Sequence, residues 1–291
     1  MNKQALIQKL DTYERLMRLD KPIGILLLLW PTLWALIMAG QGHPNWVIVL
    51  IFVTGTILMR SAGCVLNDIA DRNFDGLVER TQHRPFAKNE VTLNEAYGLA
   101  GVLVLLAFVL VCFLNTKTIA LSVVALFLAA TYPYTKRWIA IPQAYLGIAF
   151  GFGIPMAFAA LTNGIPVEAW LLLSANVFWA IAYDTEYAMV DRDDDLKIGI
   201  KSSAVFFGQY DVLAIMLCYV AMLSLLSYVG YLLGYATYYF AGLLFALMLV
   251  IGQFKLIKKR LKTDCFKAFL DNSWIGLVIL IGIVAEFLTR H

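Results

Sequence analysis

Ten of the chain's twenty acidic residues fall in two short windows. The first reads Asn67-Asp68-Ile69-Ala70-Asp71-Arg72-Asn73-Phe74-Asp75 and continues to Glu79; the second holds Asp184, Glu186, Asp191, Asp193, Asp194 and Asp195. At 3.6 residues per turn, Asn67, Asp68, Asp71 and Asp75 are expected on one helical face, as are Asp184, Tyr187, Asp191 and Asp195. Carboxylates four apart rise about 6 Å along the axis, so neighbours can flank a metal-bound ligand. Like charges at this spacing repel, and near a bilayer centre each costs about 2.5–3.5 kcal/mol. Such rows call for counter-charge, and a divalent cation supplies it. Mg2+ takes oxygen ligands, typically a few carboxylates plus substrate phosphates. The candidate metal ligands are Asp68, Asp71, Asp75, Asp191 and Asp195, with Asn67 and Tyr187 on the same faces.

Basic residues interleave with the acid: Arg72, Arg80 and Arg84 beside the first window, Arg192, Lys197 and Lys201 beside the second. Lys136-Arg137 follows the turn Tyr132-Pro133-Tyr134-Thr135. A carboxylate–metal–diphosphate site needs cations for the phosphate oxygens the metal leaves free. The plainer reading of any one of these residues is the excess of Lys and Arg on the cytoplasmic side of membrane proteins.

The elements that must position these groups are membrane helices. The chain of 291 residues is 61% hydrophobic and 15% charged, with a net charge of +3 and a mean hydropathy of +0.75. That composition exceeds what a soluble core can bury, and the charge balance excludes a basic nucleic-acid binder. Runs long enough to span a bilayer occur at approximately 23–39, 46–66, 96–114, 118–134, 141–162, 167–188, 211–233, 235–254 and 273–289. Nine transmembrane helices in a single all-α domain covering 1–291 are expected. Before them, Leu6, Leu10, Tyr13 and Met17 line one face of residues 1–20, the pattern of an amphipathic helix lying at the interface. Twenty of the 23 Lys and Arg residues fall in the N-terminus and in the connections after the second, fourth, sixth and eighth runs. This bias places the N-terminus and both acidic windows on the cytoplasmic side. The four cysteines are widely spaced and the three histidines scattered, so neither a disulfide framework nor a zinc site is expected.

The windows have the forms NDxxDxxxD and DxxxD, and with them the chain resembles the UbiA superfamily of intramembrane prenyltransferases. The resemblance covers nearly the whole chain. Arg18-Leu19-Asp20-Lys21-Pro22-Ile23-Gly24, Tyr183-Asp184-Thr185 through Asp195, Gly199-Ile200-Lys201-Ser202, and Tyr132-Pro133 with Lys136-Arg137 and Pro142-Gln143 are similar to members acting on 4-hydroxybenzoate. The chain departs from the family after Arg84-Pro85, where Phe86-Ala87-Lys88-Asn89-Glu90 replaces a Pro-containing segment ending in Gly.

The resemblance implies a nine-helix bundle around a central cavity in the bacterial inner membrane, Mg2+ as cofactor, and a polyprenyl diphosphate donor whose tail would be held in an apolar, aromatic-lined chamber open to lipid. It implies catalytic roles for Asp71, Asp75, Asp191 and Asp195, and substrate contacts from Asn67, Arg72, Arg84, Lys136, Arg137, Tyr187 and Lys201. Arg137 is the residue it assigns to the acceptor's carboxylate. Two alternatives remain at this level: a UbiA-type enzyme with another acceptor, and an inverted-repeat secondary transporter, whose carboxylates would sit nearer mid-bilayer.

Overall fold

Apolar runs interrupted by Gly, Pro and Asn give a bundle in which, among the described residues, all regular structure is helical. The structure, a computed structural model, describes residues 3–73 and 75–290; Met1, Asn2, Phe74 and His291, which belong to the expected interfacial helix, first motif and domain end, lie outside the described residues. The helices are α1 (Lys3–Met17), α2 (Ile23–Ala39), α3 (Trp46–Asp71), α4 (Leu93–Val111), α5 (Thr116–Thr135), α6 (Pro142–Gly151), α7 (Gly153–Thr162), α8 (Val167–Ile198), α9 (Ser203–Phe207), α10 (Asp211–Leu232), α11 (Thr237–Ile257) and α12 (Lys262–Leu288).

Local chemistry sets the ends. Asn45 and Asn115 cap α3 and α5 by accepting from Val47 N and Thr118 N, and Thr92 with Glu95 forms a capping box on α4. Gly199, at φ 73°, terminates α8 in a left-handed conformation that favours glycine. Each expected run falls on a helix, the run 141–162 being divided into α6 and α7 at Phe152. Among the described residues, seven segments are long and apolar enough to cross a membrane, which makes this a multi-pass membrane protein. The other two expected runs are α2, apolar but only 17 residues long, and the first part of α8, a helix of 32 residues that carries acid in its second half.

Three helices run well past the apolar segments expected of them, α12 by starting at Lys262, ahead of its run. α3 continues to Asp71 and α8 to Ile198, so both acidic windows ride on extensions of bundle helices. Asp184, Tyr187, Asp191 and Asp195 all lie on α8, and the second window is helix rather than loop. The first window departs from expectation: α3 stops at Asp71, and Asp75 opens a short 3-10 turn, Asp75–Leu77. Thr81 Oγ1 donates to the Asp75 carbonyl at 2.7 Å, fixing this turn from the far side. Asp75 therefore approaches its partners from a turn and not from the helical face.

Packing centres on α8, which lies against α6, α10 and α12, while α2 packs on α7 and α12. Trp34 and Trp179, both fully buried, stack with centroids 5.3 Å apart, and Tyr183 meets Trp179 edge-on. Trp34 Nε1 donates to the Gly276 carbonyl at 3.0 Å. A side chain at Gly276 would collide with Trp30 and Trp179, so glycine lets both indoles lie against α12. α1 keeps Leu6, Ile7 and Leu10 exposed and buries Leu16 against Val65 and Ile69, as an interfacial helix does.

Candidate active site

The helices enclose a cavity of about 510 Å³ lined by α2, α3, α4, α5, the α6–α7 pair, α8 and α12. Its body is apolar, contributed by side chains such as Leu27, Phe52, Ala107, Leu126 and Met156. At one end, Arg18, Asn67, Asp68, Arg80, Arg84 and Tyr187 make a charged mouth.

Ion pairs organise this mouth. Arg18 Nη2 donates to both oxygens of the buried Asp68, at 2.7 and 2.9 Å. Arg84 Nη1 donates to Asp68 at 3.2 Å and to Asp75 at 2.9 Å. Lys136, just past α5, holds Asp71, and Asn67 Nδ2 donates to the same carboxylate at 3.1 Å. Across the mouth, Arg80 grips Asp191 through Nε at 3.0 Å and Nη2 at 2.5 Å while its guanidinium lies 4.3 Å from the Tyr187 ring centroid. Burial pushes the Asp75 carboxyl above its ordinary value, against the opposing pull of Arg84. Burial also raises Asp195 to about 6, opposed by its hydrogen bond to Ser202. Desolvation works against the charge on Arg84, but Asp68 and Asp75 outweigh it and raise its pKa.

The donor set suits Mg2+: hard carboxylate oxygens from α3, the Asp75 turn and α8, of which Asp68 lines the cavity and Asp75 and Asp191 are tied to its mouth through Arg84 and Arg80. Among the described residues, no three His, Cys, Asp or Glu side chains converge into a preformed cage. Asp68, Asp71, Asp75 and Asp191 each rest on a cation instead. That arrangement fits a metal that arrives with phosphate, because Mg2+ is commonly held by one or two carboxylates together with substrate phosphates.

Of the expected residues, Asn67, Asp68, Arg84 and Tyr187 line the cavity. Asp71, Asp75, Lys136, Asp191 and Asp195 do not, and Asp71, Asp75 and Asp191 reach its mouth only through their bonds to Asn67, Arg84 and Arg80. Arg137 is exposed, donates through Nη2 to the Ala70 carbonyl at 2.9 Å, and lies beside the Tyr134 ring. Arg72 is exposed and turns back to the Ile69 carbonyl, and Lys201 Nζ donates to the Trp138 carbonyl. All three follow the Lys and Arg bias without lining the chamber. Other residues do line it. Arg60 sits on α3 two helical turns before Asn67, about 10 Å deeper along the axis. Its guanidinium lies 5.7 Å from the Phe150 ring centroid. Arg60 Nε and the Tyr183 hydroxyl are buried and have no hydrogen-bond partner among the described residues. Asp184 and Tyr132 line the same region. The available signal for Arg60 was its position: one of three basic residues off the cytoplasmic side, and the only one of them inside an apolar run.

An apolar chamber within a helical membrane bundle, closed by acidic and basic side chains, defines an enzyme that handles a long lipid with an anionic head. The UbiA prenyltransferase family profile matches residues 28–278, and the chain belongs to that family. It is 60% identical over 286 residues to a 4-hydroxybenzoate octaprenyltransferase of Methylobacillus flagellatus, covering 98% of this chain and 97% of that one. It is likewise 60% identical over 289 residues to a 4-hydroxybenzoate octaprenyltransferase of Dechloromonas aromatica, covering 99% and 98%. In fold it is similar to a UbiA homolog from Aeropyrum pernix K1, with a TM-score of 0.79 at 23% identity over 89% of this chain and 97% of that one. A UbiA homolog from Archaeoglobus fulgidus bound to GPP and Mg2+ superimposes with a TM-score of 0.71 at 16% identity, covering 96% and 100%.

Proposed function

We propose that the protein transfers a polyprenyl group from polyprenyl diphosphate to the ring carbon ortho to the hydroxyl of 4-hydroxybenzoate. The products are 3-polyprenyl-4-hydroxybenzoate and diphosphate, a step of ubiquinone biosynthesis. The observation that carries this reading is the charged mouth on an apolar chamber: one end suits a diphosphate, the other an isoprenoid chain. Near-full-length identity to relatives named for this reaction supports the acceptor and an octaprenyl donor.

Asp68, Asp71, Asp75, Asp191 and Asp195 would hold Mg2+, in keeping with the Archaeoglobus fulgidus homolog bound to GPP and Mg2+. The chemistry supplied by the metal there is neutralisation of the diphosphate, which makes it a better leaving group. Arg80, Arg84 and Lys136 hold carboxylates in this structure and would turn to phosphate oxygens when the donor binds. Release of Asp191 by Arg80 frees a carboxylate either for the metal or for the ring proton. The allylic C1–O bond breaks, the ortho carbon bonds to C1, and loss of the ring proton restores aromaticity. Tyr183, Tyr187, Phe266 and Phe269 line the route with aromatic faces, which favour cationic character at C1. The apolar wall excludes water that would capture it.

The acceptor's carboxylate needs a cation inside the chamber. Arg60, with a buried Nε that has no partner among the described residues, supplies one, and the unpaired Tyr183 hydroxyl lines the same cavity. Arg137 does not line the chamber. The Lys and Arg bias supports a mouth on the cytoplasmic side. Nine apolar runs in the sequence support nine crossings, and the bacterial relatives support an inner-membrane location. Cysteines introduced at positions 88 and 259 should react with impermeant reagents from the cytoplasmic side only; labelling of both from outside inverts the topology. The activity itself is tested by incubating the purified full chain with octaprenyl diphosphate and 4-hydroxybenzoate. Product should form with Mg2+ and vanish with chelator, and no product under either condition refutes the reading.

A further inference from the structure

On the side of α8 turned toward α10 and α12, a buried carboxylate holds two guanidiniums. Asp211, the first residue of α10, has a fully buried side chain. It accepts from Arg192 Nη1 at 3.0 Å and from Arg260 Nε at 2.8 and 3.1 Å. Arg260 stands in the turn between α11 and α12 with φ 55° and also donates through Nη2 to the Gln209 carbonyl. One side chain thus joins the charged extension of α8 to the start of α10 and the α11–α12 turn. A buried charge that contacts no substrate and binds arginines from two distant segments needs a reason, because such clusters are often no more stable than an apolar replacement.

The reason lies in the neighbour of Arg192. Successive helix residues are turned by about 100°, so the direction of Arg192 determines that of Asp191. α8 has left the main packing core by this point, and its last turns expose Asp193 and Leu196. The pull of Asp211 on Arg192 fixes the rotation of these turns. On the adjoining face Asp191 then meets Arg80, and Asp195 lies one turn further on. The remaining charged contacts of this extension are Lys197–Asp194, Lys262–Asp193 and the long bond from Glu79 N to Asp194 at 3.4 Å; Lys197, Lys262 and Asp193 are exposed, and these contacts hold it weakly.

We infer that Asp211 is a positioning residue for the second acidic motif, acting through Arg192 to aim Asp191 and Asp195 at the mouth. The inference rests on the proposed role of Asp191 and Asp195 as metal ligands. Groups that orient a metal's ligands typically influence affinity about 10–100-fold when removed.

The test is Mn2+ binding to the purified full chain, followed by the electron paramagnetic resonance signal of free Mn2+, with farnesyl thiolodiphosphate present and no acceptor. Asp211→Asn should weaken Mn2+ binding by about tenfold, and Asp211→Glu should recover most of it. Arg192→Gln, which leaves Asp211 paired with Arg260, should show the same loss, and it decides the matter if Asp211→Asn does not fold. The Arg192→Gln/Asp211→Asn double variant should bind no more weakly than the worse single variant, because both act through one contact. Lowered thermal stability with wild-type Mn2+ affinity in both single variants overturns the positioning role, as do additive losses in the double variant. Asp191→Asn separates the two layers: wild-type Mn2+ affinity there overturns the metal reading itself, whereas its loss alongside normal binding in Arg192→Gln overturns only the role of Asp211.

Discussion

Arg80 and Asp191 stand 111 residues apart in sequence, yet the guanidinium of one meets the carboxylate of the other at 2.5–3.0 Å. This contact spans the mouth of the chamber, from the segment after α3 to the extension of α8. Arg80 also covers the face of Tyr187, so its position is set by an anion and an aromatic ring together. A guanidinium so placed can exchange its carboxylate partner for phosphate oxygens without moving far.

Arg80→Ala should therefore impair use of the donor more than use of the acceptor. Hydrogen bonds to charged groups contribute about 1.5–3 kcal/mol, so kcat/KM for polyprenyl diphosphate should fall about 10–100-fold. The KM for 4-hydroxybenzoate should change little. Arg80→Lys should restore part of the loss, since an ammonium keeps the charge without the fork. Steady-state kinetics with each substrate varied in turn gives the comparison.

Asp71→Asn preserves size and removes the charge now held by Lys136 and Asn67. If Asp71 is a metal ligand, turnover should fall by about two orders of magnitude or more at ordinary Mg2+ concentrations. Raising Mg2+ should recover part of it. A variant that inserts normally and turns over at the wild-type rate would remove Asp71 from the metal site.

The acidic windows were legible because helical spacing and composition are local properties. Asp184, Tyr187, Asp191 and Asp195 do share α8 as their spacing implies. Asp75 does not share α3, because the chain turns after Asp71 and a 3-10 turn carries Asp75 back to Arg84. No local pattern signals such a return. The same limit applies to Arg137: the resemblance assigns it to the acceptor's carboxylate, whereas here its side chain lies on the Ala70 carbonyl and that of Lys136 goes to Asp71. The apolar runs were readable since each must be apolar over a fixed length, but the polar extensions of α8 and α12 beyond them were not. Which cation meets which carboxylate depends on helix packing, and pairs such as Arg18–Asp68 and Arg192–Asp211 become visible only in three dimensions.

Behind the chamber, α8, α10 and α12 meet in a buried polar cluster. Asn272 Nδ2 donates to Glu186 at 2.7 Å, and its oxygen accepts from Trp179 Nε1 at 2.9 Å. Tyr219 hydroxyl lies 3.0 Å from Glu186 and 2.9 Å from Asn272. Asn272→Leu removes the partner of both Trp179 and one Glu186 oxygen while keeping the volume similar. Unsatisfied buried groups cost about 1–3 kcal/mol each, so the apparent melting temperature in detergent should drop by about 5 °C or more. Glu186→Gln keeps hydrogen-bonding capacity at the same place and should cost less than Asn272→Leu. A larger drop for Glu186→Gln would mean that the charge of Glu186, and not its hydrogen bonds, holds the three helices.

For the acceptor, the proposed contact with Arg60 and the expected one with Arg137 make opposite predictions. Arg60 lines the cavity with a buried, unpaired Nε, and the unpaired Tyr183 hydroxyl lines it too. Arg137 lies outside the cavity lining on the Ala70 carbonyl. A carboxylate on Arg60 would fill hydrogen-bonding capacity that is otherwise buried without a partner, a gain of about 1.5–3 kcal/mol for a charged pair. Arg60→Gln should therefore raise the KM for 4-hydroxybenzoate about tenfold or more while leaving that for polyprenyl diphosphate nearly unchanged. Tyr183→Phe, which deletes only the unpaired hydroxyl, should raise the same constant by a smaller factor. Arg137→Ala should leave both constants within about twofold of wild type, as exposed substitutions usually do. The decisive comparison adds phenols lacking the carboxylate: wild type should prefer 4-hydroxybenzoate strongly, and Arg60→Gln should lose most of that preference. If Arg137→Ala loses the preference and Arg60→Gln keeps it, the carboxylate is held at the mouth and the deep guanidinium serves another end.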